Sequence, residues 1–214
     1  MSDQNDYFLE RIVVGPLQVN CFLLGCRQSG QAMIIDPGDE PEKIVAAVDC
    51  AEAAICGILL THGHYDHIGA VAELREKYDC PALIHSAEAQ TLTDPQANFS
   101  AFTGDPVSGP AAERLLEDND CVEIGTLEIT VSHTPGHSPG GIALHYNDFA
   151  IVGDLIFLMS IGRTDLPGGS YQQLEDSIRT RIYTLPDETR LYPGHGEPTT
   201  VGFEKQHNQF VPER

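Results

Sequence analysis

The sequence predicts an α/β domain, and three observations indicate this class. An apolar run at 54–60 is typical of a buried strand in a largely parallel sheet, and the apolar spacing at 68–78 is typical of a helix. The second half of the chain repeats this combination of short apolar strands with helical segments. With 214 residues, the chain is expected to be a single domain over 1–214 with a substantial core.

The elements of the first half are predicted from apolar runs and turn residues. Strands are expected at 8–14, 19–24, 32–35 and 82–85, besides the strand at 54–60. A helix should begin at Pro41, because proline suits a first turn, and Ser86 is expected to cap a helix over 87–92. The irregular segment 93–110 is either a surface loop that places Phe99 and Phe102 in the core, or a flap over the functional site.

The elements of the second half follow the same pattern. Strands are expected near 121–124, 126–132, 141–147 and 149–153. Ser170 should cap a helix that runs to about residue 183, and a strand at 190–192 should lead to His195. A short helix is expected at about 202–208.

Composition and charge exclude several classes of function. The formal net charge of −20 argues against nucleic acid and anionic membranes as partners, since both require basic surfaces. No segment is long and apolar enough to span a bilayer, and the polar N-terminus lacks the features of a signal peptide, so a cytoplasmic location is expected. The six cysteines show no C-x-x-C spacing and are expected to be small buried hydrophobic residues.

The segment from Thr61 to Gly69 contains three histidines and a carboxylate within six consecutive positions. His62 and His64 should point the same way in an extended segment, because the side-chain period of a strand is two, so both imidazoles can bind one metal ion. Asp66 and His67 lie where the chain turns into the next helix and can face a second position nearby. The segment therefore predicts a metal site beyond the carboxyl end of a strand, where α/β sheets bind ligands.

Three further potential ligands follow predicted strands. His137 lies in the turn T-P-G-H after the strand near 126–132, Asp154 follows the strand at 149–153, and His195 lies in P-G-H-G after the strand at 190–192. Each is next to glycine, which allows a close approach of the backbone.

The motifs HxHxDH, TPGH, GD and PGHG, in this order, resemble those of the metallo-β-lactamase fold superfamily from about residue 12 to residue 210. Within it, the segments GDLIF, SIGRTDLPGG and YPGHGEPTT are most similar to short, single-domain glyoxalase II (hydroxyacylglutathione hydrolase) proteins. The resemblance implies a four-layer αββα sandwich with the ligands at one edge between the sheets. It also implies a metal-dependent hydrolase.

The resemblance assigns the ligands to two divalent metal ions. The first ion would be held by His62, His64 and His137, and the second by Asp66, His67 and His195, with Asp154 bridging them. Asp66 would also be catalytic, by orienting a hydroxide. Zinc is the expected metal, and iron or manganese remain open because no cysteine thiolate narrows the choice.

The reaction implied is hydrolysis of a thioester such as S-lactoylglutathione, by attack of a hydroxide that bridges the two ions. The expected partner is thus a small molecule, a glutathione thioester, and the oligomeric state is left open. Arg163 could contact an anionic substrate, or it could pair with Asp165 and brace its loop. The appended helical domain with which two-domain glyoxalase II binds glutathione has no counterpart in this sequence.

Several alternatives remain at this point. The segment G-R-T-D at 162–165 also resembles persulfide dioxygenases, which use one iron and consume oxygen, and a lactonase or a non-catalytic metal-binding module is possible too. A serine hydrolase is disfavoured, because Ser138 is followed by Pro139, which has no N–H for an oxyanion hole. Asp36, Asp39 and His133 could support the ligands, whereas the remaining histidines, His85, His145 and His207, are expected at the surface or in hydrogen bonds.

Overall fold

Two mixed β-sheets form the centre of the protein in the computed structural model, which describes residues 6–213. The first sheet has the strand order β1-β2-β3-β4-β5-β6, in which β3 to β6 run parallel. Its strands are β1 Tyr7–Val14, β2 Val19–Cys26, β3 Gln31–Ile35, β4 Ala54–Leu59, β5 Ala82–His85 and β6 Arg114–Leu116.

The second sheet has the order β14-β13-β10-β9-β8-β7, in which β10 and β13 are parallel neighbours. Along the chain it contains β7 Cys121–Ile124, β8 Leu127–His133, β9 Ile142–Tyr146 and β10 Phe149–Gly153. A small hairpin of β11 Ile156–Phe157 and β12 Ser160–Ile161 precedes its last strands, β13 Arg190–Pro193 and β14 Thr199–Thr200.

Helices cover the outer faces of the two sheets, so the layers are ordered αββα. The helices α1 Pro41–Cys50, α2 Tyr65–Ile68 and α3 Val71–Tyr78 pack on the first sheet through a core cluster that includes Ile34, Ile44 and Leu74. The second sheet carries α4 Tyr171–Ser177, a π-helical continuation at Ile178–Ile182, and α5 Val201–His207. A third cluster, with Phe22 and Phe149 among its fully buried members, fills the space between the sheets. The predicted fold class and its four layers are confirmed.

The structure corrects the prediction at several places. Ser86 does not cap an α-helix: residues 86–88 form a single 3₁₀ turn, and the Nδ1 atom of His85 accepts the N–H of Ala87. Phe102 is 79% exposed, so the expectation that both phenylalanines of segment 93–110 lie in the core is wrong. The helix expected at 68–78 is divided at Gly69 into α2 and α3, and the short strands β6, β11, β12 and β14 were not predicted.

The six cysteines, all within the described residues, form no disulfide. Only Cys21 and Cys26 are buried, whereas Cys50 and Cys121 are exposed, so the expectation of uniform burial is wrong. Among residues 6–213, no helix is both long and apolar enough to cross a bilayer. Residues 1–5, which belong to the N-terminal segment used to predict a cytoplasmic location, lie outside the described part of the chain.

Candidate metal centre

Loops that follow β4, β8, β10 and β13 bring the predicted ligands together at one edge of the two sheets. The β4 loop supplies His62 and His64 and continues into α2. The strands β10 and β13 are parallel, and Gly153 of β10 lies opposite Pro193 of β13. As a result, the two residues that follow these strands, Asp154 and His195, lie at the same edge of the second sheet. The parallel pairing thus explains why residues distant in sequence converge.

The first cluster consists of His62, His64 and His137, all of them buried. The ring centroids of His62 and His64 are 4.6 Å apart, as their extended spacing predicts, and the rings of His64 and His137 are also 4.6 Å apart. The Nε2 atom of His137 lies 2.9 Å from Nδ1 of His64. One ligand atom from each of the three histidines lies within 4.8 Å of the others, which suits a single metal ion.

The second cluster consists of Asp66, His67 and His195, whose ligand atoms also lie within 4.8 Å of one another. The Nε2 atom of His195 is 3.4 Å from Oδ2 of Asp66, and Nε2 of His67 is 3.8 Å from the same oxygen. Asp66 and His67 belong to the short helix α2, directly after the His62–His64 segment. The chain therefore turns from one cluster into the other within a few residues.

Asp154 lies between the two clusters. Its Oδ1 atom is 3.5 Å from Nε2 of His67, while Oδ2 is 3.6 Å from Nε2 of both His137 and His195. One carboxylate thus faces ligands of both clusters, which is the position that a bridging ligand requires.

Hydrogen bonds orient three of the imidazoles from behind. The Nδ1 atoms of His67, His137 and His195 lie 3.1 Å from Oδ2 of Asp36, 2.8 Å from the carbonyl of Arg163 and 3.0 Å from the carbonyl of Leu17, respectively. An imidazole that donates its Nδ1–H presents a bare Nε2 to a metal. Asp36 also lies near His62 and His67 as a possible ligand, but its contact with Nδ1 of His67 makes it an acceptor behind the site.

Burial and neighbouring charges shift the pKa values of the clustered histidines in ways that favour metal binding. Burial lowers the pKa of His62 well below its usual value and lowers that of His64 to about 3, so both imidazoles are neutral, as metal ligands must be. Burial disfavours protonation of His67 as well, but Asp154 and then Asp36 outweigh it and raise the pKa of His67 to about 10. The carboxylates therefore favour positive charge at this position, which a divalent ion would supply.

Unpaired polar atoms test whether metal ions fit this arrangement. The atoms His62 Nε2, His67 Nε2 and Asp154 Oδ1 are buried and have no hydrogen-bond partner within the described part of the chain. Leaving such atoms unpaired costs about 1–3 kcal/mol each, so buried polar atoms without partners need an explanation. All three belong to residues facing the two clusters, and imidazole nitrogen and carboxylate oxygen are ligands for zinc, iron and manganese. The residues present fit two divalent ions.

Segment 93–110 lies against the site. The ring of Phe99 is 5.2 Å from that of His64, and the carbonyl of Asn98 accepts the N–H of Tyr65. Thr103, Asp105 and Val107 line a cavity beside Asp66. These contacts favour the flap over the plain surface loop as the interpretation of this segment.

Other residues singled out in the sequence have smaller roles. The guanidinium of Arg163 makes two 2.8 Å hydrogen bonds to Asp165 and is exposed, so the brace that the sequence suggested is present. His133 contacts the carbonyl of Pro139 and stacks on His85, and neither histidine reaches a predicted ligand. Neither ring nitrogen of His145 has a hydrogen-bond partner among the described residues, contrary to expectation.

Several contacts that support the site were not anticipated from the sequence. Thr61 donates its N–H and its hydroxyl to Asp36, and the hydroxyl oxygen lies 3.2 Å from Nδ1 of His62. His195 is held by the backbone carbonyl of Leu17. The position of Thr61 directly before His62 could have indicated a supporting hydrogen bond, whereas a backbone carbonyl acceptor cannot be recognised from the residue type.

The two clusters predict two metal ions per chain. Elemental analysis of protein purified without chelator and supplemented with zinc, iron or manganese should approach two equivalents, because each cluster has three ligands and shares Asp154. A chelator-treated sample provides the control. A value that stays at one after supplementation would contradict the dinuclear arrangement.

Comparison with known proteins agrees with this geometry. The model of the metallo-beta-lactamase superfamily matches residues 14–195. The chain is 33% identical to the hydroxyacylglutathione hydrolase GloC of Haemophilus influenzae over 214 residues, which cover 95% of this chain and 97% of GloC.

Two crystal structures have the same fold. BLEG-1 B3 metallo-beta-lactamase superposes with a TM-score of 0.91 at 39% identity, covering 95% of this chain and 99% of that one. TTHA1623 in a di-iron-bound form has a TM-score of 0.84 at 38% identity, covering 94% and 100% of the two chains. The fold, the ordered ligand motifs and the matched family model lead to one conclusion: this chain belongs to the metallo-β-lactamase superfamily and has the His/Asp clusters of a dinuclear metal-dependent hydrolase.

Proposed function

We propose that the protein hydrolyses thioesters of small thiols, and that S-lactoylglutathione represents this substrate class. The observation that carries the proposal is the position of Asp154, whose two oxygens face His67 on one side and His137 and His195 on the other. A complete second cluster serves hydrolysis, since a second ion helps to acidify water and to hold the oxyanion or leaving group. The 33% identity to a hydroxyacylglutathione hydrolase supports the choice of thioesters.

Two bound divalent ions would supply an acidified water as the nucleophile and would polarise the thioester carbonyl. The surrounding side chains hold the ligands in place. Asp36 and the carbonyls of Leu17 and Arg163 fix three imidazoles, so that each presents Nε2 toward the site. Asp66 is only partly buried and lies beside His195, and we assign it a second task, the orientation of the attacking water.

The carboxylate of Asp66 is suited to this task because it stays ionised. In the metal-free protein burial alone would raise its pKa, but the contact with protonated His195 and the charge of His67 outweigh burial and hold the pKa well below the usual value. An ionised carboxylate accepts a hydrogen bond from water throughout the neutral pH range. Zinc is the metal that we propose, with iron or manganese as alternatives, and the expected cytoplasmic location remains part of the proposal.

We expect thioester hydrolysis that needs no oxygen. Metal-replete protein in an anaerobic cuvette should release thiol steadily from S-lactoylglutathione, while glutathione persulfide in an oxygen electrode should cause no oxygen uptake. The physical reason is that the persulfide dioxygenases named above use one iron with open positions, whereas a second cluster of three potential ligands lies beside the first one here. A lactone and a chromogenic cephalosporin complete the panel, because BLEG-1 is a β-lactamase.

Each arm of this panel separates one alternative. Oxygen uptake with persulfide and no thiol release would replace the proposal with the dioxygenase. Turnover of the lactone alone would identify a lactonase, and turnover of the cephalosporin alone would identify a β-lactamase. A metal-replete protein inert in every arm would favour the non-catalytic metal-binding module.

The role of Arg163 is tested by Arg163→Ala. Its side chain is exposed and is paired with Asp165, so an anionic substrate would compete with Asp165 for the guanidinium. An exposed ion pair of this kind contributes little free energy, so such a substrate could displace it. If Arg163 meets an anionic thioester, KM for that substrate should rise several-fold more than KM for a neutral one. Asp165→Ala serves as the matched control, because it frees the guanidinium instead of removing it. An equal effect on both substrates would assign Arg163 to bracing alone.

A further inference from the structure

Two separate cavities each have one candidate metal ligand in their wall. One has a volume of about 340 Å³ and includes His64 in its wall, and the other has a volume of about 390 Å³ and includes Asp66. Both volumes lie within the usual range of small-molecule sites, about 300–1,000 Å³. A thioester has two arms, the acyl group and the thiol, so a carbonyl placed between the clusters would direct one arm toward each cavity.

The cavity beside Asp66, called here the Asp66 cavity, has a largely apolar wall. Its apolar side chains come from the β1–β2 turn, from α2 and from segment 93–110, namely Val14, Leu17, Val19, Tyr65 and Val107. Besides Asp66, the charged residues in its wall are Asp39 and Asp105, and no lysine or arginine lines it among the described residues. Apolar groups gain from burial there, while anionic groups meet like charge.

The cavity beside His64, called here the His64 cavity, differs in chemistry. Its wall is mixed: hydroxyl, amide and carboxylate groups come from Ser86, Glu88, Gln90, Thr91 and Ser138, and apolar side chains come from Phe99, Pro139, Pro167 and three alanines. The hydroxyl of Ser138 is buried and has no hydrogen-bond partner within residues 6–213. Such a wall offers more hydrogen-bonding groups to a peptide-like arm than the wall of the Asp66 cavity does.

We infer that the Asp66 cavity is the acyl site and that it selects uncharged, apolar acyl groups larger than lactoyl, while the thiol arm occupies the His64 cavity. The inference rests on the proposed thioester hydrolysis and adds the class of acyl group to it. A water molecule takes roughly 30 Å³ in the liquid, so the cavity has room for on the order of a dozen waters. A lactoyl group fills only a small part of that space, and its hydroxyl finds few neutral hydrogen-bonding side chains in the wall.

An acyl series on one thiol tests the inference. Acetyl, lactoyl, butyryl, hexanoyl and succinyl thioesters of glutathione keep the thiol arm constant, and hexanoyl and succinyl are equal in their number of non-hydrogen atoms. Burying one methylene group contributes about 0.8 kcal/mol, which corresponds to about a fourfold gain in kcat/KM per methylene until the cavity is full. We expect hexanoyl to exceed lactoyl by at least about tenfold, and succinyl to fall at least about tenfold below hexanoyl.

A pair of substitutions locates the effect. Val107→Phe narrows the Asp66 cavity, and the backbone at this position is fixed by bonds to Ser100 and Asn98. It should reduce the ratio of hexanoyl to lactoyl turnover to near one. Ala97→Phe is the matched control, because it adds the same ring to the wall of the His64 cavity and should lower both rates without changing their ratio. Metal content and Tm are measured for both variants.

A binding measurement separates failure of this inference from failure of the proposed function. S-hexylglutathione and S-methylglutathione are thioethers that cannot be hydrolysed, and calorimetry should show at least about tenfold tighter binding of the hexyl compound. If the protein hydrolyses S-lactoylglutathione, but kcat/KM is the same along the acyl series and the two thioethers bind equally well, the assignment of the acyl site is overturned and the proposed function is retained. If Ala97→Phe, rather than Val107→Phe, changes the ratio of hexanoyl to lactoyl turnover, the acyl group occupies the His64 cavity and the inference is overturned. No thioester turnover, with hexyl-selective binding lost in Val107→Phe, would overturn the proposed function and retain the apolar site.

Discussion

Asp154→Ala is expected to bind neither metal ion stably and to lose at least about a thousandfold in kcat/KM for thioesters, whereas His195→Ala should keep one ion. The two oxygens of Asp154 face both clusters, while His195 faces only the second. Removing the shared carboxylate also removes the negative charge that does most to raise the pKa of His67, whose ring lies 4.2 Å from that of His62. Loss of both ions would remove the acidified water and the polarisation of the carbonyl together.

The measurement is metal content after gel filtration, together with Tm with and without added metal, because ions that bind only the folded state stabilise it. Asp148→Ala is the matched control: it removes the same group next to the opposite end of β10, where the carboxylate accepts the hydroxyl of Tyr7. It should cost about 1 kcal/mol of stability and no metal. Equal metal content in Asp154→Ala and His195→Ala would contradict the bridging position.

The candidate ligands could be identified from the sequence because they lie in segments that follow recognisable strands. Apolar runs defined β4 and β10, and glycine next to Asp154 and His195 indicated a close approach of backbones. The structure shows why glycine is needed at 194, since a Cβ atom there would overlap the carboxylate of Asp154 and lie 2.7 Å from the ring of His67. Only glycine leaves room for the side chains of Asp154 and His67 at this position, which explains the P-G-H pattern in the sequence.

Other features carried too little signal. The strands β6 and β14 have three and two residues, which is too short for a period-two pattern to be recognised. The acceptors behind His137 and His195 are backbone carbonyls, and their residue types, arginine and leucine, do not indicate that role. The side chain of His85, rather than Ser86, caps the turn after β5 by accepting the N–H of Ala87, because any local side-chain acceptor can take a free N–H at the start of a turn.

Asp36→Asn is the second substitution with a large expected effect. The carboxylate of Asp36 is fully buried and accepts the N–H of Thr61 at 2.7 Å, the hydroxyl of Thr61 at 2.5 Å and Nδ1–H of His67 at 3.1 Å. An amide of the same shape has one acceptor oxygen. Because the N–H of Thr61 can only donate, that oxygen is expected to take the place of Oδ1, and the NH₂ group then takes the place of Oδ2, which faces the hydroxyl of Thr61 and Nδ1 of His67. The backbone φ of 52° at this position is tolerated by asparagine, so the substitution changes hydrogen bonding without adding backbone strain.

The consequence reaches the metal through the tautomer of His67. With an NH₂ group opposite, Nδ1 of His67 accepts instead of donating, and the proton moves to Nε2, the atom that faces Asp154. A protonated Nε2 cannot bind a metal. We therefore expect the second ion to bind about 10–100-fold more weakly, while the first cluster keeps its ion.

A titration with a competing chelator measures the two affinities separately. Asp39→Asn is the matched control, because it makes the same chemical change three residues away, where, among residues 6–213, the carboxylate accepts only the N–H of Glu40 and no imidazole pairs with it. Binding of the second ion should be unchanged in this control. The Asp36 variant should also lose about 1–3 kcal/mol of stability for each buried donor left unpaired, in the metal-free protein as well. Equal affinity for the second ion in both variants would show that the tautomer of His67 is fixed by something other than Asp36, and the carboxylate would then serve only to hold the Thr61 turn.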